Sequence, residues 1–89
     1  MKLEKYYNIL IRPIVSENTF NLIDTQNKIV FLVNRTANKL QIKESIEKLY
    51  NVKVHKINTL ITPKGKKKAY IKLKPEFSAS ELAIKLGIF

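Results

Sequence analysis

The sequence predicts a small α+β domain: one largely antiparallel sheet with helices packed on it, in the order β-α-β-α-β-β-α. Three observations predict it. Ile29 to Val33 is apolar without alternation, the mark of a central strand covered on both faces. Ile42, Ile46, Leu49 and Tyr50 fall at i, i+4, i+7 and i+8, one stripe of a helix. Lys67 to Lys74 alternates cleanly after a compact turn, as the second strand of a hairpin does. With 89 residues the chain reads as a single domain, 1–89, with no room for a second core.

The elements follow in order. Ile9 to Arg12 is a short strand that Pro13 ends by removing a ladder donor. Ser16 caps a helix through about Ile23, with Glu17 in the first turn, where a carboxylate suits the helix dipole. Asp24-Thr25-Gln26-Asn27 reads as a turn. Lys28 to Val33 is the central strand. Lys39 to Tyr50 is a helix opened by an Asn38/Gln41 capping box, supported by a Glu44–Lys48 pair and closed by Asn51 in the left-handed region. Val52 to Thr62 is a strand whose phase slips at Lys56. Val52 and Val54 share one parity and Ile57, Thr59 and Ile61 the other, which one extra residue in a β-bulge reconciles. Pro63-Lys64-Gly65-Lys66 makes the hairpin connection. Ser78-x-x-Glu81 is a capping box for a last helix over Ala79 to Leu86. Gly87 closes it, and Ile88 and Phe89 fold back.

Charge narrows the function. Lys and Arg number 17 against 7 Asp and Glu, a net charge of +10, which on so small a body points to a polyanionic partner. Fifteen of the cations are Lys, a balance that favours phosphate and shape recognition over the reading of base edges. There is no cysteine, so no disulfide, thiolate site or thiol nucleophile. One histidine, His55, makes no metal site. Two glycines cannot make a dinucleotide or P-loop motif, and the serines are explained by helix caps. No catalytic constellation, cofactor site or small-molecule substrate is called for. The N-terminus has no apolar signal region, and no run is long enough to insert in a membrane.

Lys68, Tyr70, Lys72 and Lys74 share one strand face at about 6.8 Å spacing, close to a phosphate repeat. Tyr70 between them can stack on a base or ribose. Lys64 and Lys66 extend this set into the hairpin. Arg35, Lys39 and Lys43 can clamp a second phosphate stretch, or serve helix solubility. Gly65 to Lys72 has a passing look of an RRM strand but lacks aromatics two residues apart.

Several segments together resemble a known family. They are Arg12-Pro13-Ile14-Val15-Ser16-Glu17, the Ile29–Val33 strand, Ala37-Asn38-Lys39 with Ile42-Lys43, Val52-Lys53-Val54, Asn58-Thr59-Leu60-Ile61-Thr62-Pro63-Lys64-Gly65, and Lys67-Lys68-Ala69-Tyr70-Ile71-Lys72-Leu73. In this order and spacing the chain resembles the universal large-subunit ribosomal protein number 23, in its archaeal form. The resemblance implies a four-stranded antiparallel sheet and a structural, non-enzymatic role in the cytoplasmic ribosome. It implies binding to large-subunit rRNA beside the nascent-peptide exit tunnel, next to large-subunit protein 29. It also implies a share in the platform for nascent-chain factors such as the signal recognition particle. By position, Arg35, Lys39, Lys43, Asn58, Lys67, Lys68, Tyr70 and Lys72 match the family's RNA-facing motifs. Ser16 and Glu17 match the exposed turn that bacterial members offer to a nascent-chain chaperone. Bacterial members carry a long insertion between the last two strands. Here only Pro63-Lys64-Gly65-Lys66 joins them, so no tunnel-reaching loop is expected. Asn38 stands where Thr is usual and retains a capping side chain.

Two other classes set the contrast. A DNA-compacting protein would carry a second basic arm opposite the Lys68–Lys74 face. A small nuclease or acyl-phosphate hydrolase would need a carboxylate cluster or an Arg-Asn phosphate site. The sequence has none of these.

Overall fold

The apolar run becomes the strand around which the sheet is built. A computed structural model of the chain describes residues 8–88. Its strands are β1 (Leu10–Pro13), β2 (Lys28–Val33), β3 (Val54–Ile61) and β4 (Lys67–Leu73). Its helices are α1 (Glu17–Gln26), α2 (Lys39–Tyr50) and α3 (Ala79–Lys85). The strands form one antiparallel sheet in the order β1-β2-β4-β3, and the chain order is the β-α-β-α-β-β-α predicted.

Alternation divides the sheet into two faces. Ile29, Phe31 and Val33 of β2 lie on one face with Ala69, Ile71 and Leu73 of β4. They share a single core with Ile23 of α1, Ile42 and Ile46 of α2, and Ala79, Leu82 and Ala83 of α3. Ile42 and Ile46 are wholly buried, each contributing roughly 1.5–3 kcal/mol by leaving water. Val30 and Leu32 are buried as well but lie outside that core, on the opposite face. There they are in register with Tyr70 and Lys68 of β4, and Leu32 also with Arg12 of β1. The five consecutive buried residues of β2 thus lie in two different environments.

The phase slip is a bulge. Val54 pairs with Leu73 and Lys56 with Lys72, so His55 is the additional residue. The bulge lets Val54 and Ile57 both reach the core although three positions separate them. A second bulge, at Ile11 between Leu10 and Arg12, was not expected from the sequence. Strand β3 is shorter than the Val52–Thr62 span predicted. Val52 is buried outside it, and the Lys53 carbonyl accepts from the Lys74 amide at 3.0 Å.

Caps fix the helix ends. Asn38 Oδ1 accepts from the Gln41 amide at 2.8 Å and Gln41 Oε1 from the Asn38 amide at 3.0 Å, the predicted box. Asn51 closes α2 at φ 53°. Ser16 caps α1 in a reciprocal arrangement with Thr19. Ser78 caps α3 by accepting from the Glu81 amide. Gly87, at φ +77°, donates to Ile84 and Ile88 donates to Ala83, which ends α3 in a Schellman motif. Ile88 packs against the core. Phe89 lies outside the described residues.

Pro13, predicted to end β1, is its last residue, in register with Phe31. The turn predicted after α1 fails. Asp24-Thr25-Gln26 is the last turn of α1 rather than a loop, and Asn27 at φ 53° is its cap. The cause is tertiary. The Asn27 side-chain amide donates to the carbonyls of Leu73 at 3.2 Å and Phe77 at 2.9 Å, and its Oδ1 accepts from the Ala79 amide at 2.7 Å. These bonds tie the end of α1 to β4 and to the start of α3, and the local sequence carries no sign of them.

Candidate nucleic-acid interface

The face of the sheet turned away from the helical core carries the basic residues. Strand register lays them out in rows. Lys28 of β2, Lys72 of β4 and Lys56 of β3 form one row. Val30, Tyr70 and Asn58 form the next. Arg12, Leu32, Lys68 and Leu60 form the third. Directly opposed side chains in such rows begin about 4.5–5.5 Å apart. Three lysines abreast repel one another unless an anion lies across them.

Among the described residues this face carries no carboxylate. Glu17 and Asp24 lie on α1, Glu44 and Glu47 on α2, Glu81 on α3 and Glu76 in the connection before it. Among the described residues no strand carries an acid. The described residues are therefore polarised, with only cationic charge on this sheet face and a helical layer of mixed charge. Lys68, Tyr70 and Lys72 are half-buried, so their stems and ring form part of the surface rather than extending freely from it.

The predicted site residues divide by this geometry. Lys68, Tyr70, Lys72 and Asn58 come together on the open face. Lys64 and Lys66 adjoin it in the β3–β4 hairpin. That hairpin is held by the Thr62 amide donating to Lys66 at 2.7 Å and the Gly65 amide donating to Thr62 at 2.8 Å. Gly65 adopts φ +81°, which the turn requires. Arg35 lies against the hairpin, its guanidinium 3.7 Å from where a Cβ on Gly65 would stand. Lys67 does not join the set. Its strand position faces the helical layer, and its ammonium donates to the Ala37 carbonyl, just before α2.

Lys39 and Lys43 are exposed on α2, above the β3 edge. They line a groove of about 270 Å³ with Leu40, Val54, His55 and Lys56. Because Lys56 belongs to the open face as well, the basic surface continues around the β3 edge onto α2. Ser16 and Glu17 are exposed at the N-terminus of α1, beside exposed Val15 and beyond the end of β1. They stand apart from the lysine rows.

Arg12, Lys28 and Lys56 were missed as candidates. The bulge phase already placed Lys56 with Asn58, since Ile57, Thr59 and Ile61 share the other parity. Lys28 and Arg12 needed the strand order, which sequence periodicity does not give. Among the described residues no cluster of His, Cys, Asp and Glu could hold a metal ion, and no helix is long and apolar enough to cross a membrane.

Comparison with known proteins shows the family. A family model described as "Ribosomal protein L23" matches residues 8–78. The chain is similar to three archaeal proteins, each named "Large ribosomal subunit protein uL23". Those of Methanococcus aeolicus and Methanococcus vannielii are 49% and 53% identical to it, and that of Methanobrevibacter smithii 54%. Each match covers 93% of this chain and 96% of the relative. The chain belongs to the ribosomal protein L23 family.

Proposed function

We propose that this protein holds large-subunit rRNA against the open face of its sheet. Membership of the family makes it a structural constituent of the large ribosomal subunit, in the cytoplasm, and not an enzyme. The observation that carries the RNA-binding reading is the Lys28–Lys72–Lys56 row on a face that carries no carboxylate among the described residues. A phosphate backbone laid across it neutralises the mutual repulsion, and Tyr70 in the adjoining row offers a ring for a base or ribose. Lys64 and Lys66 extend the contact along the hairpin. Arg35, Lys39 and Lys43 take phosphates that pass around the sheet's edges. Lys67 contributes field rather than a direct contact, because its ammonium is engaged by Ala37.

The family resemblance supports the location: beside the mouth of the nascent-peptide tunnel, next to large-subunit protein 29. Ser16 and Glu17, exposed and away from the lysine rows, are the side left for nascent-chain factors such as the signal recognition particle.

A titration tests the RNA reading. The protein is bound to an rRNA fragment from the tunnel-exit region and to a duplex DNA of equal phosphate count, at low and near-physiological salt. Preference for the rRNA that survives the higher salt is expected. Equal binding that collapses together would leave only non-specific attraction.

A further inference from the structure

At one corner of the open face, β1 and β2 meet the β3–β4 hairpin around a groove of about 460 Å³. Its apolar lining comes from Ile14, Leu32 and Pro63, and its cations from Arg12, Lys64, Lys66 and Lys68. Among the described residues no carboxylate lines it. The volume lies in the roughly 300–1,000 Å³ range of small-ligand sites. We infer that this groove receives a single unpaired nucleotide of the bound RNA, its base on the apolar floor and its phosphates on the surrounding cations. The inference rests on the RNA-binding reading and adds what kind of nucleotide is bound, and where.

Two features single out this corner. A paired stretch of RNA presents phosphates and keeps its bases stacked, so lysine rows suffice for it. An apolar floor inside a ring of cations is instead complementary to a nucleotide whose base has left the stack. In addition, the chain's only two arginines both stand here. Arg12 lines this groove, and Arg35 lines the adjoining concavity of about 310 Å³, which shares Leu32 and Lys66 with it. Guanidinium groups stack on bases and bind phosphate in a fork, which lysine does not. The groove is also pre-formed. Thr62 and Lys66 are bonded to each other through the Thr62 amide and through Thr62 Oγ1. On the other side, the Ile14 amide donates to the Val30 carbonyl at 2.9 Å.

The test uses an RNA stem carrying one bulged 2-aminopurine and the same stem with that base paired. The protein is expected to bind the bulged stem about ten-fold tighter and to change the emission of the bulged base. Ile14→Glu, which puts a carboxylate in the groove, is expected to remove the preference and leave paired-stem binding in place. Should Ile14→Glu fail to fold, Arg12→Ala, at an exposed position, is expected to remove the preference while weakening the paired stem only by the loss of one phosphate contact. Lys56→Glu, on the same face but away from the groove, is expected to weaken both stems equally and keep the preference. Equal binding of the two stems with unchanged emission would overturn this inference alone. Failure to bind either stem would overturn the RNA-binding reading and this one with it. Displacement of the bulged stem by a Glu-Leu peptide of equal charge would assign the groove to an acidic protein segment and overturn the inference.

Discussion

Lys72 sits between Lys28 and Lys56 in the central row of the open face, half-buried and opposed by a like charge on each side. Partial burial reduces the screening of both repulsions. Replacing it with Met keeps an unbranched stem and removes the charge from both pairs. Cross-strand pairs are worth roughly 0.2–1 kcal/mol each, so relief of two predicts about 1 kcal/mol of added stability at low salt. For a domain of this size that is roughly 4–8 °C in Tm. The gain should fade as salt approaches about 1 M, where the Debye length falls to about 3 Å. The same change removes a phosphate contact, so the salt slope of rRNA binding should fall by about 1. The assay pairs thermal unfolding of the free protein, at low and high salt, with binding isotherms over the same range. A variant that loses stability at low salt, or keeps the full salt slope, would refute the reading of this row as a repulsive array awaiting an anion.

Other residues give sharper contrasts. Lys68→Glu combined with Lys72→Glu should abolish rRNA binding while leaving the circular dichroism spectrum native. Glu17→Ala should leave rRNA binding unchanged, weaken only factor docking in a co-sedimentation assay, and cost about 0.3–1 kcal/mol of helix stability. Asn27→Gly keeps the left-handed backbone but deletes its side-chain bonds: three short ones to Leu73, Phe77 and Ala79, and a 3.5 Å one to Lys74 that adds little. At about 1 kcal/mol each, it should lower stability by roughly 3 kcal/mol in urea unfolding, whereas Asn51→Gly should change it by only a few tenths. Ile46→Ala should cost roughly 2–5 kcal/mol, whereas Leu40→Ala, at a position 72% exposed on the same helix, should be nearly neutral in the same unfolding assay.

Much of the fold was legible because local chemistry and tertiary role coincide. The stripe of α2, the Asn38/Gln41 box, the slip near Lys56 and the Gly87 stop are each written within a few residues. Asn27 was read as part of a turn because the partners of its side chain lie 46 to 52 positions away. The site was legible along strands but not across them. Alternation grouped Lys68, Tyr70 and Lys72, yet only the order β1-β2-β4-β3 brings Lys28, Lys56 and Arg12 beside them. Lys67 illustrates the converse. It belongs to the same lysine run, but the period of two turns it to the other face, where a backbone carbonyl takes its ammonium. A run of like residues in a strand is therefore two populations, and charge counting alone merges them.

The central claim is that RNA meets the open face of the sheet. The most direct measurement follows amide and side-chain NMR resonances of the whole chain while a tunnel-exit rRNA fragment is added. The account predicts that shifts concentrate at Lys28, Lys56, Asn58, Lys68, Tyr70 and Lys72 and along the hairpin, and leave α1 and α3 nearly unmoved. Shifts centred on α1 and α3, with the lysine rows unchanged, would contradict it.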